Sequence, residues 1–411
     1  MFRVLFARLL PGVLRHRDFR LLWLAQSIST FGDALTTLTL VLLINRLTGS
    51  TAAIATLTIL IAVPGVVLGM FAGVFVDRYD RRRIMLVSDL TRAAFILGFV
   101  LVHTREHLWL LYGLALVQAS VGAFFMPARE ALVQVVVPEA ERLPAHALTD
   151  TSFTLAELAG TALAGVLVGV TGTFFLSFVI DAATFCASFA LVRLVRAHAL
   201  PLPSSHSNPW HELLKGWKVI GSSRLLIAIL LTGGLMFLGG AALQVLLIPF
   251  SLNVLHVPVV WSGILGAGSV VGTVLGGAAL TRWGARLSPT HLMIGGLFAF
   301  AVTIALMGLA PNAWVLALIN LGFGVILVVL QSSFATLIQN TVSNDLMGRV
   351  GSIFTVVMLT ANIFSLLIAG VLGTVMGIRQ VFFLLAALMA FSGLVATLMM
   401  GTQTGTKNKQ A

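Results

Sequence analysis

Gly73-Val-Phe-Val-Asp77-Arg78-Tyr79-Asp80-Arg81-Arg82-Arg83 separates two long apolar runs, and a worn copy of it returns 204 positions on, counting Gly73 to Gly277. Gly73, Asp77, Arg78, Asp80 and Arg82 align without a gap on Gly277, Thr281, Arg282, Gly284 and Arg286. A second echo has almost the same offset: Ala131-Leu-Val-Gln134 against Thr336-Leu-Ile-Gln339. The chain therefore reads as two related halves of roughly 200 residues each. A duplicated, strongly apolar chain with a charged hinge in each copy is the pattern of an alternating-access transporter.

Composition names the solvent. Apolar residues make up 58% of the 411 and charged residues 9%, and mean hydropathy is +1.04. So little charge cannot cover the surface of a water-soluble fold of this size, so the surface faces lipid. Twelve apolar runs approach or exceed the ~20 residues a crossing helix needs. They cover about 19–45, 50–76, 84–103, 108–135, 147–170, 173–195, 224–253, 258–281, 288–309, 312–340, 350–376 and 379–400. The period-two alternation of a membrane β-barrel is missing. The expected fold is all-α and polytopic, with twelve transmembrane helices in two pseudo-symmetric six-helix halves. The boundaries are 1–196 for the first bundle, 197–223 for a linker, 224–400 for the second bundle and 401–411 for a tail.

The net charge of +11 is a topology signal. Arg3, Arg8, Arg15, Arg17 and Arg20 precede the first span, Arg78 and Arg81–Arg83 follow the second, and Arg193, Arg196, Lys215, Lys218 and Arg224 surround the linker. Arg282 and Arg286 follow the eighth span and Lys407 and Lys409 close the chain, whereas Arg46, Arg105 and Arg379 fall on the other side. That bias puts both termini in the cytoplasm of an inner (plasma) membrane protein, and it removes the reason to expect nucleic acid as a partner.

Cys186 is the only cysteine and lies within a span, which excludes disulfides and thiolate metal clusters. The first span follows about twenty residues with five arginines and lacks a small-residue cleavage site, so a removable leader is not expected. The linker carries Pro201, Pro203 and Pro209, and in Trp210–Ile220 the residues Leu213, Leu214, Trp217 and Ile220 share one helical face. A short helix on the inner membrane surface is expected there, with Lys215 and Lys218 toward headgroups. No G-x-x-x-x-G-K-[ST] occurs and no loop could hold a further domain, so neither enzyme chemistry nor direct ATP coupling is expected. No cofactor or metal is implied.

The Gly73–Arg83 box resembles the loop signature Gly-x-x-x-Asp-Arg-x-Gly-Arg-Arg of the major facilitator superfamily, departing from it at Asp80. Phe125-Met-Pro127-Ala128-Arg129-Glu-Ala-Leu with Val137-Pro138-Glu139, Ile180-Asp181-Ala-Ala-Thr-Phe185, and Asn344-Asp345-Leu-Met-Gly348-Arg349-Val resemble the subgroup of macrolide, multidrug and enterobactin exporters. The resemblance covers the whole chain. It implies that helices one and five line a central cavity and that helix six is peripheral. Two positions depart from the proton-handling and antiporter patterns: Gln118 stands where an arginine precedes Gly122, and Gly160-Thr161 replaces a Gly-Pro pair.

Charge at bilayer depth costs ~2.5–3.5 kcal/mol per residue, so each such residue needs a reason. Gln26, Thr30, Asp33 and Thr37 share one face of the first span, and Asp150, Thr154, Glu157 and Thr161 repeat the spacing in the fifth. These stripes read as walls of a wet cavity, with Asp33 and Glu157 as the proton-coupling pair. Burial disfavours a charged carboxylate, so proton uptake would remove the cost of closing a dry gate over it, and cationic cargo would compete. The remaining cavity candidates are Phe31, Gln118, Phe124, Met236, Gln244, Gln331 and Asn362. Gly73, Asp77, Arg78, Arg81, Arg82 and Arg349 are candidates for a conformational latch, with Asp77 facing the positive end of a helix in the other half. Asp181 is expected to be structural, and Asp89 and Arg92, three residues apart, to neutralise one another.

The resulting expectation is a monomeric, proton-coupled exporter of amphipathic or drug-like small molecules, in contact with protons, cargo and membrane lipid. Uptake or movement of a siderophore or lysophospholipid is the rival within transport. A membrane scaffold that kept the fold is the rival outside it.

Overall fold

The computed structural model describes residues 12–197, 217–221, 223–284, 287–342 and 344–407. Helix dominates, and no strand occurs among the described residues. The long helices are α1 Arg17–Thr48, α2 Thr51–Val67, α3 Gly69–Arg78, α4 Arg81–Gly98, α5 Leu108–Val136, α6 Arg142–Thr171, α7 Phe175–Arg193, α8 Arg224–Pro249, α9 Val260–Trp283, α10 Pro289–Leu309, α11 Ala313–Thr341, α12 Asn344–Val375 and α13 Ile378–Lys407. Among the described residues, eleven helices are long and apolar enough to cross a membrane. The twelfth crossing is α2 continued by α3: backbone bonds run through the break at Leu68, from Leu68 N to Pro64 O and from Ala72 N to Leu68 O. Pro64, inside α2, removes one backbone donor and is the local reason for irregularity there.

Sequence-local chemistry starts these helices. Ser223, Ser288 and Asn312 cap α8, α10 and α11 by accepting from the amides of Leu226, His291 and Val315. The departure at Asp80 has the same explanation. Its carboxylate accepts from Arg82 N at 2.9 Å and Arg83 N at 3.4 Å and so begins α4. A glycine there would lack that oxygen.

The chain divides into two compact units, Met1–Thr48 with Leu57–Ser205, and Gly49–Thr56 with His206–Ala411. In the first, α1 packs along α6 and α7, α4 packs on α5 and α7, and α3 on α5. In the second, α8 packs along α12 and α13, α10 on α11 and α13, and α9 on α11. Numbering the crossings in order, the same pairings occur in both units, which is the structural counterpart of the sequence repeat. Thr51, counted with the second unit, donates its hydroxyl to Gly370 O of α12. Of the expected linker helix, residues 210–216 lie outside the described residues, whereas Trp217–Gly221 is helical.

Glycine sets the closest crossing. A Cβ on Gly272 of α9 would overlap Leu321 O of α11, and one on Gly324 would overlap Ser269 O, so the backbones touch in both directions. Gly272→Ala is expected to lower stability by about 1–3 kcal/mol through overpacking. Gly277→Ala, which meets nothing within 4 Å, should leave thermal unfolding in detergent unchanged or slightly improved. Equal melting shifts for the two variants would refute the backbone contact.

Candidate functional site

The first unit is organised around α1. Trp23 Nε1 donates to Ser152 Oγ at 3.0 Å, a separation of 129 in sequence, and Arg46 donates to Gly172 O at 2.9 Å, a separation of 126. Between these ties Gly160 lies against Phe31 O, where a side chain would not fit. The near-constant offset means α1 and α6 run parallel in register. By that register Glu157 is level with Ile28, about five residues nearer the N-terminal end of α1 than Asp33, or roughly 7.5 Å at 1.5 Å per residue. The two carboxylate stripes are therefore neighbours but staggered.

Asp33 forms an ion pair with Arg92 of α4, their side chains 37% and 12% exposed. This replaces the expected pairing of Arg92 with Asp89. Those two are close enough to interact through space, but Asp89 turns to α7, where Ser188 Oγ donates to it at 2.7 Å. The guanidinium lies over the Phe185 ring at 4.2 Å and faces Gly122 of α5, which has no side chain to obstruct it. Asp181 is fully buried beside Thr184. Gly32 makes room for it: a Cβ there would collide with Thr184 Oγ1 and the Asp181 carboxylate. Sequence reasoning found Asp33 but missed its partner. The available signal was that Arg92 is the one cation well inside the third apolar run.

Glu157 is exposed and has neither a hydrogen bond nor an ion pair among the described residues. Thr30, Phe31, Gln118 and Thr161 are half-buried. Gln26 is 5% exposed with Nε2 unpartnered, and Gln118 Oε1 is also buried without a partner. Gln26 faces α5 and α6, beside Arg129, Glu130 and Phe153. Phe124 stacks edge-on against Phe75 at 5.2 Å and lines an apolar groove of about 580 Å³ formed by α3, α4 and α5. In the second unit Met236 is buried, Asn362 half-buried and Gln331 exposed. Gly73, Asp77, Gln244 and Arg349 have a described backbone, but their side chains lie outside the described residues.

The remaining loop-box arginines differ in use. Arg81 is buried, while Arg78 and Arg83 are exposed. Arg82 donates to Val192 O at 3.2 Å and to Arg193 O, which neutralises carbonyls left open at the end of α7. Asp18, at the start of α1, accepts from the amides of Arg196 and Ala197 in the segment that follows α7. That residue was not singled out from sequence, because nothing local marks a partner 178 positions away. Arg82→Ala should cost about 1–2 kcal/mol. Arg83→Ala, at a side chain 85% exposed, should change the melting temperature little. A loss at Arg83 equal to that at Arg82 would contradict the assigned bonds.

Residues 22–365 match the Major Facilitator Superfamily. The chain is 26% identical over 383 residues to the uncharacterized MFS-type transporter YfiS of Bacillus subtilis, covering 90% of each. It is 22% identical to macrolide efflux protein A of Streptococcus pyogenes, over 89% of this chain and 92% of that one. It is 26% identical to the enterobactin exporter EntS of Citrobacter koseri, over 88% and 86% respectively. Among solved structures, a bacterial homologue of the human lysosomal transporter Spinster, inward-facing and unoccupied, superposes with a TM-score of 0.74 at 14% identity, over 93% of this chain and 97% of that one. A bacterial homologue of the iron transporter ferroportin gives a TM-score of 0.74 at 16% identity, over 93% and 98%; both likenesses concern the fold.

Proposed function

Because the chain belongs to the major facilitator superfamily, and is thus a multi-pass membrane transporter and not an enzyme, we propose that it is a proton-coupled exporter of amphipathic, drug-like small molecules working by alternating access. One observation carries the coupling: an aspartate deep in α1 held by an arginine from α4. An ion pair at that depth stores a choice between proton and guanidinium, since protonating Asp33 frees Arg92. Glu157, exposed and unpaired, serves as the second carboxylate, open to cargo of positive charge. The polar cavity residues, the latch of Asp77 with its arginines, the six-helix halves joined at 197–223, and a monomer with both termini on the inner side of the plasma membrane belong to the same reading.

Two relatives bear names of efflux proteins with bulky cargo, a macrolide in one and enterobactin in the other, which supports export over uptake. The enterobactin relative also favours a second reading, export of a siderophore. A panel of macrolides, lipophilic cations, catecholate siderophores and lysophospholipids separates these. The test is ligand-induced thermal stabilisation of the purified protein at acid and alkaline pH, followed by pH-driven export from proteoliposomes. Stabilisation by macrolides or lipophilic cations, weaker at acid pH, supports the first reading. Stabilisation by catecholates alone supports the second, and pH-indifferent transport removes proton coupling.

A further inference from the structure

We propose that Asp181 is a further proton-exchanging residue of this transporter, and that Arg92 alternates between Asp33 and Asp181 as the proton moves. The inference rests on the proton-coupled reading above and names the site of exchange that α1 alone does not supply.

Three carboxylates converge on one guanidinium in the first unit. Asp33 comes from α1, Asp89 and Arg92 from α4, and Asp181 from α7, and both Asp33 and Arg92 act electrostatically on the two buried acids. From α5 the group that meets Arg92 is Gly122. Asp89 and Asp181 are each 0% exposed. With all three acids ionised, the cluster would hold two uncompensated negative charges away from water, which no hydrogen-bonding arrangement tolerates cheaply.

Donors are scarce around Asp181. Thr184 has one hydroxyl hydrogen but two acceptors in reach, its own turn's Asp181 O at 2.7 Å and Asp181 Oδ1 at 3.0 Å. One hydrogen shared between both acceptors gives Oδ1 only part of a donor, a poor setting for a buried charge. Asp181 Oδ2 is buried without a partner, and Thr36 Oγ1, 3% exposed, faces Asp181 from α1 without completing a bond of its own. Asp89 differs in receiving one whole donor, from Ser188 to Oδ2, although its Oδ1 is likewise buried without a partner.

The guanidinium has a track to follow. It lies on Phe185, one helical turn from Asp181 on the same helix, and its Nε carries no hydrogen bond. In the exchange, the O–H bond of Asp181 breaks and its proton passes to water on one side. Arg92 leaves Asp33 for the new carboxylate, and Asp33 becomes free for a proton or a cationic cargo. Return of a proton to Asp181 from water on the other side sends Arg92 back.

Infrared spectroscopy of the full chain in liposomes tests this without any cargo. The wild type should show the C=O stretch of a protonated carboxylic acid at neutral pH. The band should bleach reversibly when the pH is raised, be lost in Asp181→Asn and persist in Asp89→Asn. A wild-type spectrum without the band, or a band that ignores bulk pH, overturns the proposal even if Asp181→Asn fails to fold. Bleaching by sodium against N-methylglucamine at constant pH would make the site a sodium site and overturn it equally. Compounds that stabilise the protein while the band is absent would sink this inference alone. A titrating band with no stabilising compound would sink the exporter reading alone.

Discussion

Proteoliposomes carrying Asp33→Asn together with Glu157→Gln build no pH-driven cargo gradient, although the protein still inserts and folds, with a melting temperature lowered because Arg92 loses its partner. A proton entering down 100 mV releases ~2.3 kcal/mol, so one proton per neutral cargo molecule sustains a gradient on the order of 50-fold. The expected change is from that value to no accumulation, because neither amide can take up or release the proton. Downhill exchange of labelled cargo should continue, since the amides keep the size and most of the hydrogen bonding of the neutral acids. Undiminished accumulation in the double variant would reject coupling through these residues. The single variants divide the work. Asp33→Asn alone should suffice to abolish coupling, because its carboxylate is the one held by Arg92. Glu157→Gln, at an exposed and unpaired position, should mainly weaken export of cationic compounds.

Arg92→Met is the most damaging substitution expected within the first unit. Among the described residues it removes the only guanidinium that faces Asp33, Asp89 and Asp181. Breaking a buried pair by deleting one partner costs ~3–5 kcal/mol. Asp33 is 37% exposed, so solvent screening brings the expected loss to about 2–3 kcal/mol. A double-mutant cycle checks the pairing: Arg92→Met with Asp33→Asn should be less destabilised than the sum of the single changes. Arg92→Met with Asp89→Asn should recover less, since Asp89 is served by Ser188 and makes no ion pair with Arg92. Larger recovery with Asp89 would restore the local i, i+3 pair in place of the bond to α1. Thermal unfolding in detergent, read by tryptophan fluorescence, is the measurement.

The fold was legible for two physical reasons. A chain with 9% charge has one solvent open to it, and in lipid every crossing must close its own backbone bonds as a helix. The repeat at an offset of 204 then implied two halves, and both units show the same helix pairings. Asp33 was also legible, because an ionisable group in an apolar run is conspicuous by its cost. Its partner was not. Sequence spacing offered Asp89 as the neighbour of Arg92, and on an isolated helix that pair would form. A long side chain at a helix–helix junction instead takes the best-placed acceptor from any direction, and the acceptor in reach was on another helix, 59 residues away.

The same division holds for the rest of the site. Helix caps at Asp80, Ser223, Ser288 and Asn312 are local events, settled within three residues of each cap, so composition and order along the chain were enough to specify them. Depth and register were not available from one strand of sequence. The stagger between Asp33 and Glu157 follows from where Gly160 lets α6 close on Phe31, and Asp181 meets the Asp33–Arg92 pair because Gly32 leaves the space. Apolar periodicity tells a helix that it must be buried in lipid or protein, but it is indifferent to sliding along a neighbour. Only close packing of particular small residues removes that freedom, and with it chooses which charges meet.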